Sequence, residues 1–158
     1  MIEELQFNKE QINLQIKDKK ILAIDYGMRR IGLATTDKYH ISLNPLITLQ
    51  NEGEKTLENL KRIIINENCD FVVLGYPVGK KEIQSDLQKE IIAFKESIEK
   101  KLNLPIILFD ESYSSKKATE NIVQTGIKKS KRKTKETLDR FAALTILKLF
   151  LEEVEGVI

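Results

Sequence analysis

Three carboxylates in this chain stand where an isolated acid would be costly. Asp25 follows the apolar run Ile21-Leu22-Ala23-Ile24 and opens Asp25-Tyr26-Gly27-Met28-Arg29-Arg30-Ile31-Gly32. Glu111, preceded by Asp110, follows a second apolar run, Ile106-Ile107-Leu108-Phe109. Both runs read as buried strands, and an anion delivered to the end of one loses hydration unless a cation or hydrogen bonds meet it. Asp139 falls inside a helical pattern over Lys135 to Glu153, three and four residues before Ala142 and Ala143. Residues at that spacing share a helix face. Small side chains let that face approach a sheet, so Asp139 is expected to face inward over the sheet edge, where an acid needs a partner. Oxygen ligands gathered from such distant parts of a chain suit a hard cation, Mg²⁺ or Mn²⁺. The alternative at Asp25 is a turn in which the carboxylate bonds only the local backbone, and these residues leave both open.

The elements that must position these acids follow from periodicity. Ile31 to Thr36 reads as the return strand of a hairpin, with Gly27 supplying a positive φ in the reversal. Ile41 to Leu49 is expected to form a third strand, with Pro45 at an edge or bulge. Leu57, Leu60, Ile63 and Ile64 mark an amphipathic helix ending near Asn68, and Phe71 to Gly75 a buried strand. Ile83, Leu87, Ile91, Phe94, Ile98 and Leu102 mark a second helix that stops before Pro105. After the strand at Ile106 comes a helix from about Ser114, an expected N-cap, to Gly126, an expected C-cap. A strand meander followed by alternating helix and strand makes a mixed five-stranded α/β sheet flanked by helices. Lone His40 is expected in a loop. Ile12, Leu14 and Ile16 alternate with polar residues, which suggests either a short edge strand or, preferred here, a mobile tail.

These residues resemble the YqgF/RuvX family, relatives of the RuvC-type resolvases within the ribonuclease H-like superfamily. Four segments carry the resemblance: Asp25-Tyr-Gly-Met-Arg-Arg-Ile-Gly32, Val73-Leu-Gly-Tyr-Pro77, Asp110-Glu111, and Lys131-Arg-Lys with Asp139-Arg-Phe-Ala-Ala143. It runs from about Lys20 to about Leu151. The resemblance implies a ribonuclease H-like fold and a metal-dependent nuclease hydrolysing phosphodiester bonds. Asp25, Glu111 and Asp139 match the family's acids and would hold two Mg²⁺ or Mn²⁺ ions for an in-line displacement. Asp110 is either a fourth ligand or a capping residue in the following turn. The implied substrate is the 5′ end of precursor 16S rRNA; Holliday-junction resolution is the older inference from the RuvC kinship. A non-catalytic nucleic-acid-binding factor is a further alternative, as is a fragment of the actin, Hsp70 and sugar-kinase type, whose hairpin resembles Asp25-x-Gly27. Two departures bear on catalysis: Ser112 stands where the family usually has Arg, and Val78-Gly79-Lys80-Lys81-Glu82 replaces its usual Asn-Met-Asp-Gly continuation.

Charge and composition agree with a nucleic-acid partner. Between Lys128 and Lys135 six of eight residues are basic, which leaves 20 basic against 24 acidic in the rest of a chain whose net charge is +2. Lys128, Lys129, Lys131, Arg132, Lys133 and Lys135 therefore form a patch, and such a patch beside a metal centre suits a polyanion such as structured RNA or branched DNA. Lys80, Lys81 and Arg29 are further phosphate-contact candidates. Gly75 to Lys81 is no P-loop, because only three residues separate its glycines and Lys81 occupies the hydroxyl position. One Cys69 and one His40 exclude an internal disulfide and a multi-histidine metal site. No signal-peptide core or membrane-length apolar run is present, so a cytoplasmic protein is expected. With 158 residues, 41% of them hydrophobic, one domain is the simplest organisation. We place it at residues 19–153, with an extension at 1–18 and a tail at 154–158; a dimer is open.

Overall fold

A computed structural model describes residues 5–78, 84–111 and 135–156, the side chains of 135–140 excepted. Its centre is a mixed sheet of β1 (Ile21–Tyr26), β2 (Arg30–Thr36), β3 (Leu43–Pro45), β4 (Leu49–Gln50), β5 (Phe71–Tyr76) and β6 (Ile106–Asp110). The order is β3-β2-β1-β5-β6, with β4 also pairing β2. β1 and β2 form the expected antiparallel hairpin, and β1, β5 and β6 run parallel. The expected third strand is divided in two. Pro45 pairs with Ala34 on the edge strand of the sheet; one more bond, from Leu46 N to the Leu33 carbonyl at 2.8 Å, follows before pairing with β2 breaks off and resumes at Leu49.

Helices cover both faces, which is why the parallel strands read as continuous apolar runs rather than alternating ones. On one face α2 (Glu54–Glu67) and α3 (Asp86–Leu102) bury Leu60, Ile64, Ile91 and Ile98 against Leu22, Ile24, Val72, Leu74 and Leu108. α2 ends where Asn68 takes a left-handed conformation at φ 57°, its N–H returning to the Ile64 and Ile65 carbonyls. α3 starts in a capping box between Ser85 and Gln88. On the other face α4 (Lys135–Glu155) lays Ala143, Ile146, Leu147 and Phe150 on Ile21, Ala23, Ala34, Phe71, Val73 and Ile107. Phe150 meets Phe71 and Phe109 at centroid distances of 6.2 and 5.7 Å.

The N-terminal segment is neither a strand nor a tail. Lys9–Ile16 is a helix, α1, capped by Asn8, whose side chain accepts from Gln11 N at 3.1 Å. Ile12 and Ile16 are buried at i,i+4 spacing, while Leu14 is 76% exposed. Residues 12 and 16 fit both periods, and α4 offered the apolar partner that selects the helix. Lys9 pairs with Glu153 at 2.6 Å and Phe7 packs 6.4 Å from Phe150. At the other end α4 runs on to Glu155, with Val154 buried, so the tail begins later than expected. His40 does lie in a loop, but its buried ring sits 2.8 Å from both Glu155 Oε2 and the Lys19 carbonyl, tying that loop to the end of α4. The expected helix from Ser114 to Gly126 and its neighbour Ser112 lie outside the described residues, as does Ile83. No described helix is long and apolar enough to cross a membrane.

Candidate active site

Strand alternation assigns each residue at the sheet's upper edge to a face. On β1, Ile21 and Ala23 lie under α4, so Asp25 follows them there; on β5, Phe71 and Val73 do the same for Gly75. On β6, Ile107 and Phe109 lead to Glu111, whose N–H donates to the Tyr76 carbonyl at 3.1 Å and carries the β5–β6 ladder one step beyond Asp110. The parallel register sets Ile24 beside Leu74 and Gly75 beside Phe109, and Asp25 lies opposite Gly32 on β2. Asp25 is thus bordered in the sheet by two residues without side chains.

That bare surface is where Glu111 lies. A Cβ added to Gly75 would overlap the Glu111 carboxylate and come within 2.6 Å of Ile146 Cδ1. Gly75 is therefore a seat: its missing side chain lets Glu111 fold back toward Asp25 beneath α4. The two carboxyl groups share a hydrogen bond. Burial pushes the Glu111 carboxyl up to about 9, reinforced by the Asp25 charge, that hydrogen bond and the Asp110 charge. Glu111 Oε2 is buried and has no hydrogen-bond partner among the described residues. A buried acceptor left in that state is costly, and an oxygen-seeking cation is the partner that would relieve both it and the repulsion between the acids. The donor set therefore fits Mg²⁺ or Mn²⁺.

The turn after Asp25 is held from outside. Gly27 N donates to the Arg30 carbonyl at 2.9 Å, while the Asn51 side chain donates to the Gly27 carbonyl and Asn51 N to the Arg29 carbonyl, each at 2.9 Å. Gly27 does not take the expected positive φ, which among the described glycines occurs only at Gly53 and Gly156. It is required because a Cβ would lie 2.6 Å from the Arg30 oxygen. Neither the Gly75 seat nor the Asn51 clamp was anticipated. The signal for Gly75 was a glycine inside an otherwise bulky buried strand; a polar loop asparagine offers none.

Of the residues singled out from sequence, the structure brings Asp25 and Glu111 together. Asp110 follows Leu108 in the alternation, toward the α2 and α3 face, and is exposed. Arg29 is exposed in the turn after Asp25. Asp139 belongs to α4, one turn before Ala143, with its side chain outside the described residues; Lys135 opens the same helix on the same terms. Lys80, Lys81, Lys128, Lys129, Lys131, Arg132 and Lys133 also lie outside them. Among the described residues no three acidic, histidine or cysteine side chains gather into a metal-binding group.

Comparison with known proteins identifies the family and the fold. The chain is 38% identical over 135 residues to a protein of Amoebophilus asiaticus named "Putative pre-16S rRNA nuclease", covering 84% of this chain and 93% of that one. It is 37% identical over 140 residues to a Mycoplasma genitalium protein of the same name, covering 85% and 97%. The structure of Thermus thermophilus RuvC in complex with Holliday junction substrate superposes with a TM-score of 0.55 at 14% identity, covering 85% of this chain and 95% of that one. That likeness shows the fold, a ribonuclease H-like α/β sheet. The family model described as "RuvX: Holliday junction resolvase" matches residues 19–153, so the chain belongs to the RuvX family.

Proposed function

We propose that this protein is a metal-dependent nuclease that hydrolyses phosphodiester bonds in structured nucleic acid, and that its substrate is the 5′ end of precursor 16S rRNA. The observation that carries the proposal is the meeting of Asp25 and Glu111 over Gly75, with a buried carboxylate oxygen that has no hydrogen-bond partner among the described residues. The naming of the relatives as pre-16S rRNA nucleases supports the substrate. Asp25, Glu111 and Asp139 would hold Mg²⁺ or Mn²⁺, two ions in the fullest form of the site, which when bound supplies Lewis-acid charge at the reacting phosphate. The chain's own part is to hold the acids in place. β1 and β6 fix the Asp25 and Glu111 backbones, Gly75 leaves the space that brings the carboxyls together, and Asn51 keeps the turn beside Asp25 from shifting. Arg29 at that turn and the basic run from Lys128 to Lys135 would receive phosphates, with Lys80 and Lys81 as lesser contributors. The protein would act in the cytoplasm, where ribosomal RNA precursors are trimmed.

The experiment compares matched substrates: an RNA carrying the 5′ flank of 16S rRNA, the same sequence as DNA, and a four-way DNA junction, each with Mg²⁺, Mn²⁺ or chelator. Cleavage of the RNA at the mature end, dependent on either ion, is the expected result. Preferential cutting of the junction would move the substrate to branched DNA. Binding without cleavage of any substrate would leave a non-catalytic factor.

A further inference from the structure

The end of β1 has a second side. Tyr26 follows Asp25, and alternation sends its side chain to the opposite face, among the residues beneath α2 and α3. There a groove of about 350 Å³ is bordered by Tyr26, Asn51, Leu57, Glu90, Phe94 and Ser97. The Tyr26 ring packs on Phe94 with centroids 4.8 Å apart at 46°. Its hydroxyl donates to Glu90 Oε2 at 3.1 Å and accepts from the Asn51 side chain. Because Asn51 also clamps the Gly27 carbonyl, one side chain ties this groove to the turn that carries Asp25.

Two properties decide what the groove can take. Among the described residues Glu54 and Glu90 border it and no lysine or arginine does; Lys101 pairs with Glu54 from outside the groove, so the charge facing a ligand is that of Glu90, which disfavours a phosphate. Tyr26, Leu57 and Phe94 give it an aromatic and apolar wall, and its volume lies within the range of small-ligand sites. A flat ring with N–H donors along one edge satisfies both. A carboxylate offers about four acceptor positions, of which Tyr26 takes one on Glu90, and acidic side chains read base edges by accepting from them. Guanine is the base whose pairing edge presents two adjacent N–H donors. Unstacked bases resting on aromatic side chains are the usual object of sequence-specific RNA recognition.

We propose that this groove is a subsite for an unstacked guanine of the substrate strand, on the sheet face opposite Asp25 and Glu111 and joined to their turn through Asn51. The inference rests on the nuclease reading for its position but not for its chemistry, and two measurements separate them. The first is binding, by fluorescence anisotropy with divalent metal chelated, of short labelled oligouridylates carrying one central guanine, inosine or uracil. Guanine should bind about tenfold more tightly than uracil, inosine should lose most of that advantage because it lacks the 2-amino donor, and Glu90→Gln should abolish it. Glu96→Gln, on the same helix away from the groove, should leave the ratio unchanged. The second is cleavage of RNAs in which guanine is moved through the positions flanking the cut site, where one position should favour guanine in the wild type and not in Glu90→Gln. Equal binding of guanine, inosine and uracil overturns the subsite even if cleavage is intact. A guanine preference lost in Glu90→Gln sustains the base groove even if no substrate is cut, a result that would count against the nuclease alone.

Discussion

At the scale of single residues, Gly75 makes the sharpest demand. A Cβ there competes with the Glu111 carboxylate and with Ile146 at once. Gly75→Ala should therefore cost about 1–3 kcal/mol as overpacking and lower metal-dependent cleavage at least tenfold, measured by thermal unfolding and by kcat on the same preparation. Wild-type cleavage in Gly75→Ala would show that Glu111 works from another position. Cys69 makes a different prediction. Burial pushes its thiol up to about 12 from 9.0, with Lys20 opposing and Glu67 and Asp70 adding to the shift. The folded protein thus holds the thiol proton more tightly than the unfolded chain. The corresponding stability is fully present below about pH 9 and is lost as pH rises toward 12. The thiol should react with maleimide at pH 8 only after unfolding, and Cys69→Ala should show a shallower alkaline loss of stability than the wild type. At this scale Asp25 and Glu111 were legible as acids ending buried strands, whereas Gly75 as their seat was not. A glycine's role is set by the atoms that approach it, and those arrive from α4 and β6, far away in sequence.

At the scale of elements, legibility followed the strength of the period. α2 and α3 carry several apolar turns, and their ends are set by Asn68 and by Ser85 with Gln88, so tertiary packing only confirmed a pattern already present. α1 has one apolar pair, Ile12 and Ile16, which serves a helix or a strand equally well until α4 is in place. The divided strand β3–β4 failed to read as two pieces because the break comes from pairing against β2 rather than from composition. The helical account of α1 is checked by two substitutions. Ile16→Ala should cost about 2–5 kcal/mol, since that side chain is fully buried, whereas Leu14→Ser should stay within about 0.5 kcal/mol. Chemical denaturation of both variants decides it; equal, small effects would restore the tail.

At the scale of the whole molecule, the sheet gathers two acids 86 residues apart on the face beneath α4, while the basic run precedes and opens that same helix. If Lys131, Arg132 and Lys133 contact phosphate, neutralising all three should weaken binding to every sequence and flatten its salt dependence by about one log-log unit for each lost contact. Folding stability should scarcely move, because a charge that meets phosphate rather than the protein contributes little to it. An unchanged slope would identify the run as a solvated loop and turn attention to Arg29, Lys80 and Lys81. The broad architecture was legible because strand burial, helix period and chain order all pointed to one α/β arrangement. The inward placement expected for Asp139 falls on a side chain outside the described residues. The most direct measurement of the central claim compares the wild type with Asp25→Asn on the precursor RNA across a Mg²⁺ titration, with substrate binding measured in parallel. Asn keeps the shape and removes a charge that would hold the ion. Cleavage should fall by orders of magnitude while binding persists. Undiminished Mg²⁺-dependent cleavage by Asp25→Asn would contradict the account and reduce Asp25 to a residue that closes a turn.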